Sequence, residues 1–210
     1  GAVAHGAFHI DEGLSLQLDE NSEVRLVDDD RLVLERGAVY VASDLGAARS
    51  ATFTVATRNG TVRHIGTQYE VRTVPAGVQV SVREGRVVVD TDGALHEGRA
   101  GERLAIDNDG AVKRTTLARN DPHWRWIERG VPSFDIENQS LDDFLSWFSR
   151  ETGRQVAFAS PEAAQAAHAT ILRGSIEGLE PQAALTAVLA TTELVSVEGQ
   201  NGGIVIQRRE

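Results

Sequence analysis

The sequence predicts a mixed fold, an all-β front half followed by a smaller α+β module, and three observations carry that reading. From Gly6 to Leu117 apolar and polar residues alternate with period two, and helix-breaking residues recur too often for a long helix. After Ser140 the period changes to that of a helix, with Leu141, Phe144, Leu145 and Phe148 on one stripe. Between the two, Arg119 to Pro132 keeps neither period. The domains are therefore read as 1–118, a tryptophan-containing hinge at 119–132, and 133–210.

In chain order, Leu14, Leu16 and Leu18 alternate with Ser15, Gln17 and Asp19, and Val24 and Leu26 flank Arg25 before a turn at Asp28-Asp29-Asp30. Leu32-Val33-Leu34 and Val39-Tyr40-Val41 flank Gly37 as a hairpin, and Phe53-Thr54-Val55 comes next. Further strands are expected at Val62 to Ile65, Tyr69 to Val74, Val78 to Val82, Val87 to Val89 and Leu104 to Ile106. About ten short strands with turns between them suit stacked hairpins, arranged as a β-sandwich or a solenoid. The front half also echoes itself. Glu23 to Val27 recurs as Glu70 to Val74, and Leu32 to Val41 recurs as Val80 to Val89, with one residue inserted between the paired segments. A repeat of that length is one hairpin plan used twice.

The hinge carries Asp121-Pro122, a cap followed by proline, then Trp124, Trp126 and Ile127. Those three are too apolar for a free tether and are expected to dock one domain on the other. The module beyond reads as βαβ–βαβ. Phe134-Asp135-Ile136 is a short strand, Ser140 caps a helix with Asp143 answering as a capping box, and Gly153 ends it. Gln155 to Phe158 is a second strand, and Ser160-Pro161 opens a short alanine-rich helix over Glu162 to His168. A strand is expected around Ile171 to Ile176, then a helix carrying Ala184, Leu185, Val188 and Leu189. Val195 and Val197 begin a hairpin that turns at Gly199 to Gly203 and returns through Ile204-Val205-Ile206.

Two families are resembled. The segments Leu34-Glu35-Arg36-Gly37-Ala38-Val39-Tyr40-Val41, Gly66-Thr67-Gln68-Tyr69-Glu70-Val71, Val80 to Val89 and Gly98-Arg99-Ala100-Gly101-Glu102 resemble the FecR domain, the periplasmic β domain of bacterial cell-surface signalling regulators. At the start the chain has Glu12-Gly13-Leu14 where that family tends to carry Asp-Gly-Ser. Phe134-Asp135-Ile136, Phe144-Leu145, Thr152-Gly153, Leu172-Arg173-Gly174-Ser175 and Gly178-Leu179 resemble the STN module (secretin and TonB short N-terminal domain). Trp126 and Gly130 fall where the same regulators carry Trp and Gly before their C-terminal module.

Composition narrows the partners. With 21 Lys and Arg against 31 Asp and Glu, the formal net charge of −10 opposes binding to nucleic acid or to an anionic membrane face. The absence of cysteine removes disulfides, thiolate nucleophiles and cysteine metal sites. No segment approaches the ~20 apolar residues of a membrane span. There is no methionine, even at position 1, so a processed or excised piece is expected, with any membrane anchor upstream of Gly1.

No catalytic constellation stands out. His5 and His9 lie at i and i+4, but Gly6 sits where a metal-protease helix needs Glu, and no metal or other cofactor is expected. Gly174-Ser175-Ile176-Glu177-Gly178 lacks the Gly-x-Ser-x-Gly spacing of a nucleophile elbow. Gly199 to Gly203 is a hairpin tip without the Lys and helix of a phosphate loop. Glu84 with Asp90, or Glu35 with Asp44, are read as solvated charges before glycosidase acids. Trp124, Trp126 and Trp147 are read as packing anchors before sugar platforms.

The expected function is not enzymatic. The resemblance implies the periplasmic, signal-receiving part of an inner-membrane anti-sigma regulator. Its implied partners are the periplasmic signalling domain of a TonB-dependent outer-membrane receptor, often one for iron chelates, and an extracytoplasmic-function sigma factor reached through a missing cytoplasmic segment. A partner-binding strand is expected at Ile204, Val205, Ile206 and Arg208, on the view that the last strand forms an open sheet edge. The alternatives are a non-catalytic module for envelope glycans or polymers, and a hydrolase on a β scaffold.

Overall fold

The described residues of the alternating front half form one continuous sheet of ten strands. They are β1 (Ala2–Asp11), β2 (Leu14–Asp28), β3 (Arg31–Arg36), β4 (Ala38–Ser43), β5 (Thr54–Thr57), β6 (Gly60–Val74), β7 (Gly77–Thr91), β8 (Ala94–Arg99), β9 (Glu102–Asp107) and β10 (Val112–Thr116). The computed structural model describes residues 2–11, 14–43, 53–119, 121–128 and 134–209, and the chain divides into two units, residues 1–132 and 133–210.

Hydrogen-bonded neighbours close on themselves in the first unit. β2 pairs with β3, β3 lies parallel to β5, β5 pairs with β6, β6 with β4, and β4 returns to β2. This barrel-like ring encloses Leu16, Leu34, Val39, Val41, Phe53, Val55, Tyr69, Val71 and Val80, each no more than 2% exposed. β7 continues the sheet to β9 and β10, with β8 on its other half. The sandwich and the solenoid thus give way to a single curled sheet.

Three strands are longer than alternation alone suggests: β2, β6 and β7 each span 15 residues. β2 and β7 bend where their partners change. β2 passes from β4 to β3 around Asn21, which has φ 60°. β7 passes from β9 to β8 around Gly85, which has φ 73°. Such left-handed residues kink a ladder without ending the strand. The repeated hairpin is present as β2–β3 and again as β6–β7. Its equivalent glycines diverge: Gly85 lies inside β7, whereas Gly37 (φ 87°) separates β3 from β4. At Gly37 the Ser22 hydroxyl accepts from the Ala38 N–H at 3.0 Å and donates to the Ala38 carbonyl at 2.9 Å, and a Cβ on Gly37 would stand 2.4 Å from that hydroxyl.

β4 is buried on both faces. Val39 and Val41 point into the ring, while Tyr40 and Ala42 point outward against Leu117, Trp124 and Ile127.

The second unit contains α2 (Leu141–Thr152), β11 (Val156–Phe158), α3 (Pro161–Ala169), α4 (Pro181–Ala190), β12 (Leu194–Glu198) and β13 (Ile204–Arg208). Ser140 and Asp143 form the expected capping box, and Gly153 ends α2 at φ 64°. Leu141, Phe144, Leu145 and Phe148 are buried along one stripe. Ser160 caps α3, with Pro161 in its first turn. Two expected strands do not form. The chain after Phe134 to Ile136 meets the start of Ile171 to Ile176 only locally, through the bridge of Ser140 with Ile171 and bonds linking Asn138 and Gln139 to Leu172. Asn138 at φ 65° and Gly174 at φ 104° turn the chain away on either side, so no ladder extends. The unit is therefore helices on a three-stranded sheet ordered β11-β13-β12, with β11 parallel to β13, and the second βαβ half is replaced by a helix and a hairpin.

Replacing Gly37 with Ala forces a Cβ into Ser22 and imposes a left-handed backbone on an ordinary residue. Urea unfolding is expected to show a loss of about 2–3 kcal/mol, with the midpoint lowered and the slope unchanged.

Candidate functional site

In Tyr69-Glu70-Val71-Arg72 of β6, Tyr69 and Val71 face the ring, so Glu70 and Arg72 face outward. Glu70 lies opposite Tyr40 of β4 and Ser81 of β7. Alternation would leave this face in water. Instead the chain after β10 folds across it as a strap.

Asp121 starts the strap, its carboxylate accepting from the His123 N–H at 2.8 Å, with Pro122 opening a 3₁₀ turn over Pro122–Trp124. The single-turn helix α1 (Arg125–Glu128) comes directly after it. Trp124 (1% exposed) and Ile127 (0%) cover Tyr40 and Ala42. The Trp124 ring meets Tyr40 edge-on at 6.0 Å, and its indole N–H donates to the Ala118 carbonyl at 3.0 Å. Arg83 lies over the Trp124 ring at 5.4 Å and donates from Nε to the Arg119 carbonyl at 3.3 Å, while Arg119 pairs with Glu84 at 2.6 Å.

Glu70, fully buried, fastens the strap. Its Oε1 binds His123 Nε2 at 2.9 Å, and its Oε2 accepts from the Trp126 indole N–H at 2.8 Å. From the sheet, Arg72 donates to Oε1 at 3.3 Å and to Oε2 at 3.1 Å, reaches Asp19 at 2.8 Å, and stacks over the Trp126 ring at 5.5 Å. Burial alone would raise the Glu70 carboxyl, but the His123 hydrogen bond and the Arg72 charge outweigh it and hold the group below the usual carboxylate range. Glu70 is thus an anion, which can only accept, so the His123 Nε2 position carries the proton.

Trp124, Trp126 and Ile127, expected to dock one domain on the other, are all packed on the first unit. Gly130, in the remainder of the expected hinge, lies outside the described residues. The expected strand edge needs correction. β13 is the middle strand of its sheet: Ile204, Val205 and Ile206 pair with β11 on one side and β12 on the other. Ile204 (4% exposed) and Ile206 (0%) are core residues, and Arg208 pairs with Glu193 at 2.9 Å. Strand addition at β13 is therefore blocked, because its hydrogen-bonding groups already serve its neighbours.

The weighed chemistry resolves into structural contacts. Glu84, Asp90 and Glu35 pair with Arg119, Arg63 and Arg25, while Asp44 lies outside the described residues. The Ser175 hydroxyl accepts from the Glu177 N–H at 3.1 Å, a turn contact. Among the described residues no three His, Cys, Asp or Glu side chains converge as metal ligands, and the side chains of His5, His9 and His64 are outside those described. Trp124 and Trp147 are buried, and the indole N–H of half-buried Trp126 serves Glu70, so none of the three presents a free platform for a sugar.

Glu70 itself escapes sequence reasoning, because an acid on the polar phase of a strand looks solvated. The signal lies fifty residues on, in the two tryptophans and Ile127, which need a surface to cover.

Residues 4–88 match the model of the family described as FecR protein. Two crystal structures of a candidate anti-sigma factor from Parabacteroides distasonis ATCC 8503, at 2.50 and 1.65 Å resolution, are each 16% identical to this chain. Each alignment covers 99% of this chain and 96% of the other, with TM-scores of 0.47 and 0.48. No match was found among curated proteins.

The Glu70 geometry leads to two expected outcomes. Glu70→Gln keeps the shape but removes the anion that Arg72 and two N–H groups require, and is expected to lower the unfolding free energy by about 3 kcal/mol in urea titrations at neutral pH. Because the folded carboxyl titrates below its ordinary value of 4.5, its stabilisation is complete above that pH and is lost as pH falls through the folded value. The stability difference between wild type and the Gln variant should accordingly shrink in acid below about pH 4.5.

Proposed function

We propose that this chain, a FecR-family protein over residues 4–88, is the signal-receiving part of a cell-surface signalling regulator and works by contact. The observation that carries the reading is the family match, which spans the strands of the closed ring and includes Glu70. On this reading the fragment lies on the periplasmic side of the bacterial inner membrane. It meets the periplasmic signalling domain of a TonB-dependent outer-membrane receptor and relays that contact to an extracytoplasmic-function sigma factor through parts of the protein outside residues 1–210.

The chain's own chemistry suits such a role. Its buried and half-buried charges are spent on holding elements together: Glu70 on the strap, Arg72 between Glu70 and Asp19, and Arg83 on Trp124. A receiver of this kind passes on a signal by having two arrangements that the partner binds unequally, and no bond need be made or broken. The strap supplies an element that leads from the FecR-family sheet toward the second unit in sequence.

The test is calorimetric titration of the 210-residue chain with the purified periplasmic signalling domain of the TonB-dependent receptor whose induction requires this regulator. Saturable binding with Kd on the order of 1–10 μM is expected, which corresponds to roughly 7–8 kcal/mol of association free energy. Absence of binding up to about 1 mM overturns the proposed partner.

A further inference from the structure

We infer that the segment Asp121–Glu128 is a releasable strap with Glu70 as its latch, and that its release from the sheet is the conformational change through which the fragment signals. The second half of this inference rests on the receiver function proposed above; the first half stands on geometry alone.

Four observations separate the strap from the body of the unit. Its residues belong to a core of their own: Trp124 and Ile127 pack with Tyr40, Ala42 and Leu117, while the core on the inner side of the sheet, nineteen of the described residues, contains none of them. Among the described residues the two cores share only β4, on opposite faces, so the strap can leave without opening the ring. The strap's secondary structure is a three-residue 3₁₀ turn and a four-residue helix, far below the length at which a helix holds itself in water, so its order comes from its contacts with the sheet.

The covered face is also unusually polar. Glu70 and Arg83, buried on the outward side of β6 and β7, meet the strap and the segment leading into it directly. Exposing these groups returns them to water, which offsets part of the apolar burial that Trp124 and Ile127 give up. Arg83 Nη1 has no hydrogen-bond partner while buried, a cost that opening relieves. Finally, the fastening is concentrated. Of the groups around Glu70, His123 and Trp126 come from the strap and Arg72 from the sheet, so one carboxylate joins the two. A latch built this way has two discrete states, because half-made hydrogen bonds to a buried anion are worse than either extreme.

Amide hydrogen exchange on the 210-residue chain, read residue by residue, tests the latch. In the wild type, the Trp124 and Arg125 amides are expected to exchange through an opening that leaves Tyr69, Val71 and Val80 protected. In Glu70→Gln and in Trp126→Phe, exchange of the strap amides should accelerate at least about tenfold and stay ahead of the ring amides, which speed up by no more than the fall in global unfolding free energy. The exposed-pair control Arg25→Ala should leave both unchanged. Should Glu70→Gln fail to fold, Trp126→Phe and His123→Ala decide the matter from the strap side, leaving the sheet intact. Strap amides that open only together with the ring, in the wild type and in the variants, overturn the latch.

Adding the purified receptor signalling domain tests the signalling half. Faster strap exchange in the bound chain supports it, and binding that leaves strap exchange unchanged overturns it. Failure to bind removes the proposed partner and with it the signalling half, while the exchange of the free chain still decides the latch.

Discussion

A carboxylate taken wholly out of water has to be matched by donors and charge, and the arrangement of the first unit is governed by that requirement at Glu70. Its position on β6 sets it beside Tyr40 and Ser81 on the outward face of the sheet. Arg72, two residues along the same strand, provides the charge, and Asp19 on β2 steadies Arg72 from the other side. Those contacts alone would leave the carboxylate at the surface. Burial comes from the strap, whose His123 and Trp126 complete the shell while Trp124 and Ile127 seal the face over β4. An isolated apolar contact would let the strap sit in several registers; the directional bonds to one buried anion select a single one.

Much of this architecture is legible in the sequence, and the limits are physical. Alternation identifies the inward residues of β2, β4, β6 and β7 because one face of each meets the ring core. Ser140, Asp143 and Gly153 mark the ends of α2 because capping is a local hydrogen-bonding problem with few solutions. What escapes is whatever depends on distant partners. β8 and β10 carry few apolar residues, since each lies at the margin of the sheet, and Ala94 to Arg99 and Val112 to Thr116 are not among the strands expected from alternation. The last strand of the chain looks like an edge, but its place between β11 and β12 is decided by a parallel pairing to a segment some fifty residues earlier. Glu70 is the clearest case: its own neighbours in sequence say surface, and only the later tryptophans say otherwise.

The family match and the strap fall on different parts of the chain. The match ends within β7, at residue 88, and includes Glu70 and Arg72; His123 and Trp126 lie beyond it. The bonds at Glu70 therefore join the region that matches the FecR family model to the segment that leads out of it. A contact of this kind couples the sheet to the next stretch of chain, with the energetics concentrated in a few bonds.

The two glycines of the repeated hairpin carry a lesson about design by duplication. Gly37 and Gly85 occupy the same place in the same local pattern, yet one breaks its strand and the other merely bends it. The difference is supplied by Ser22, whose hydroxyl occupies both backbone groups of Ala38 and so frees β4 to cross over and close the ring. Anyone grafting or tandem-joining such hairpins would inherit a closed ring only by carrying that remote serine along with the corner it makes.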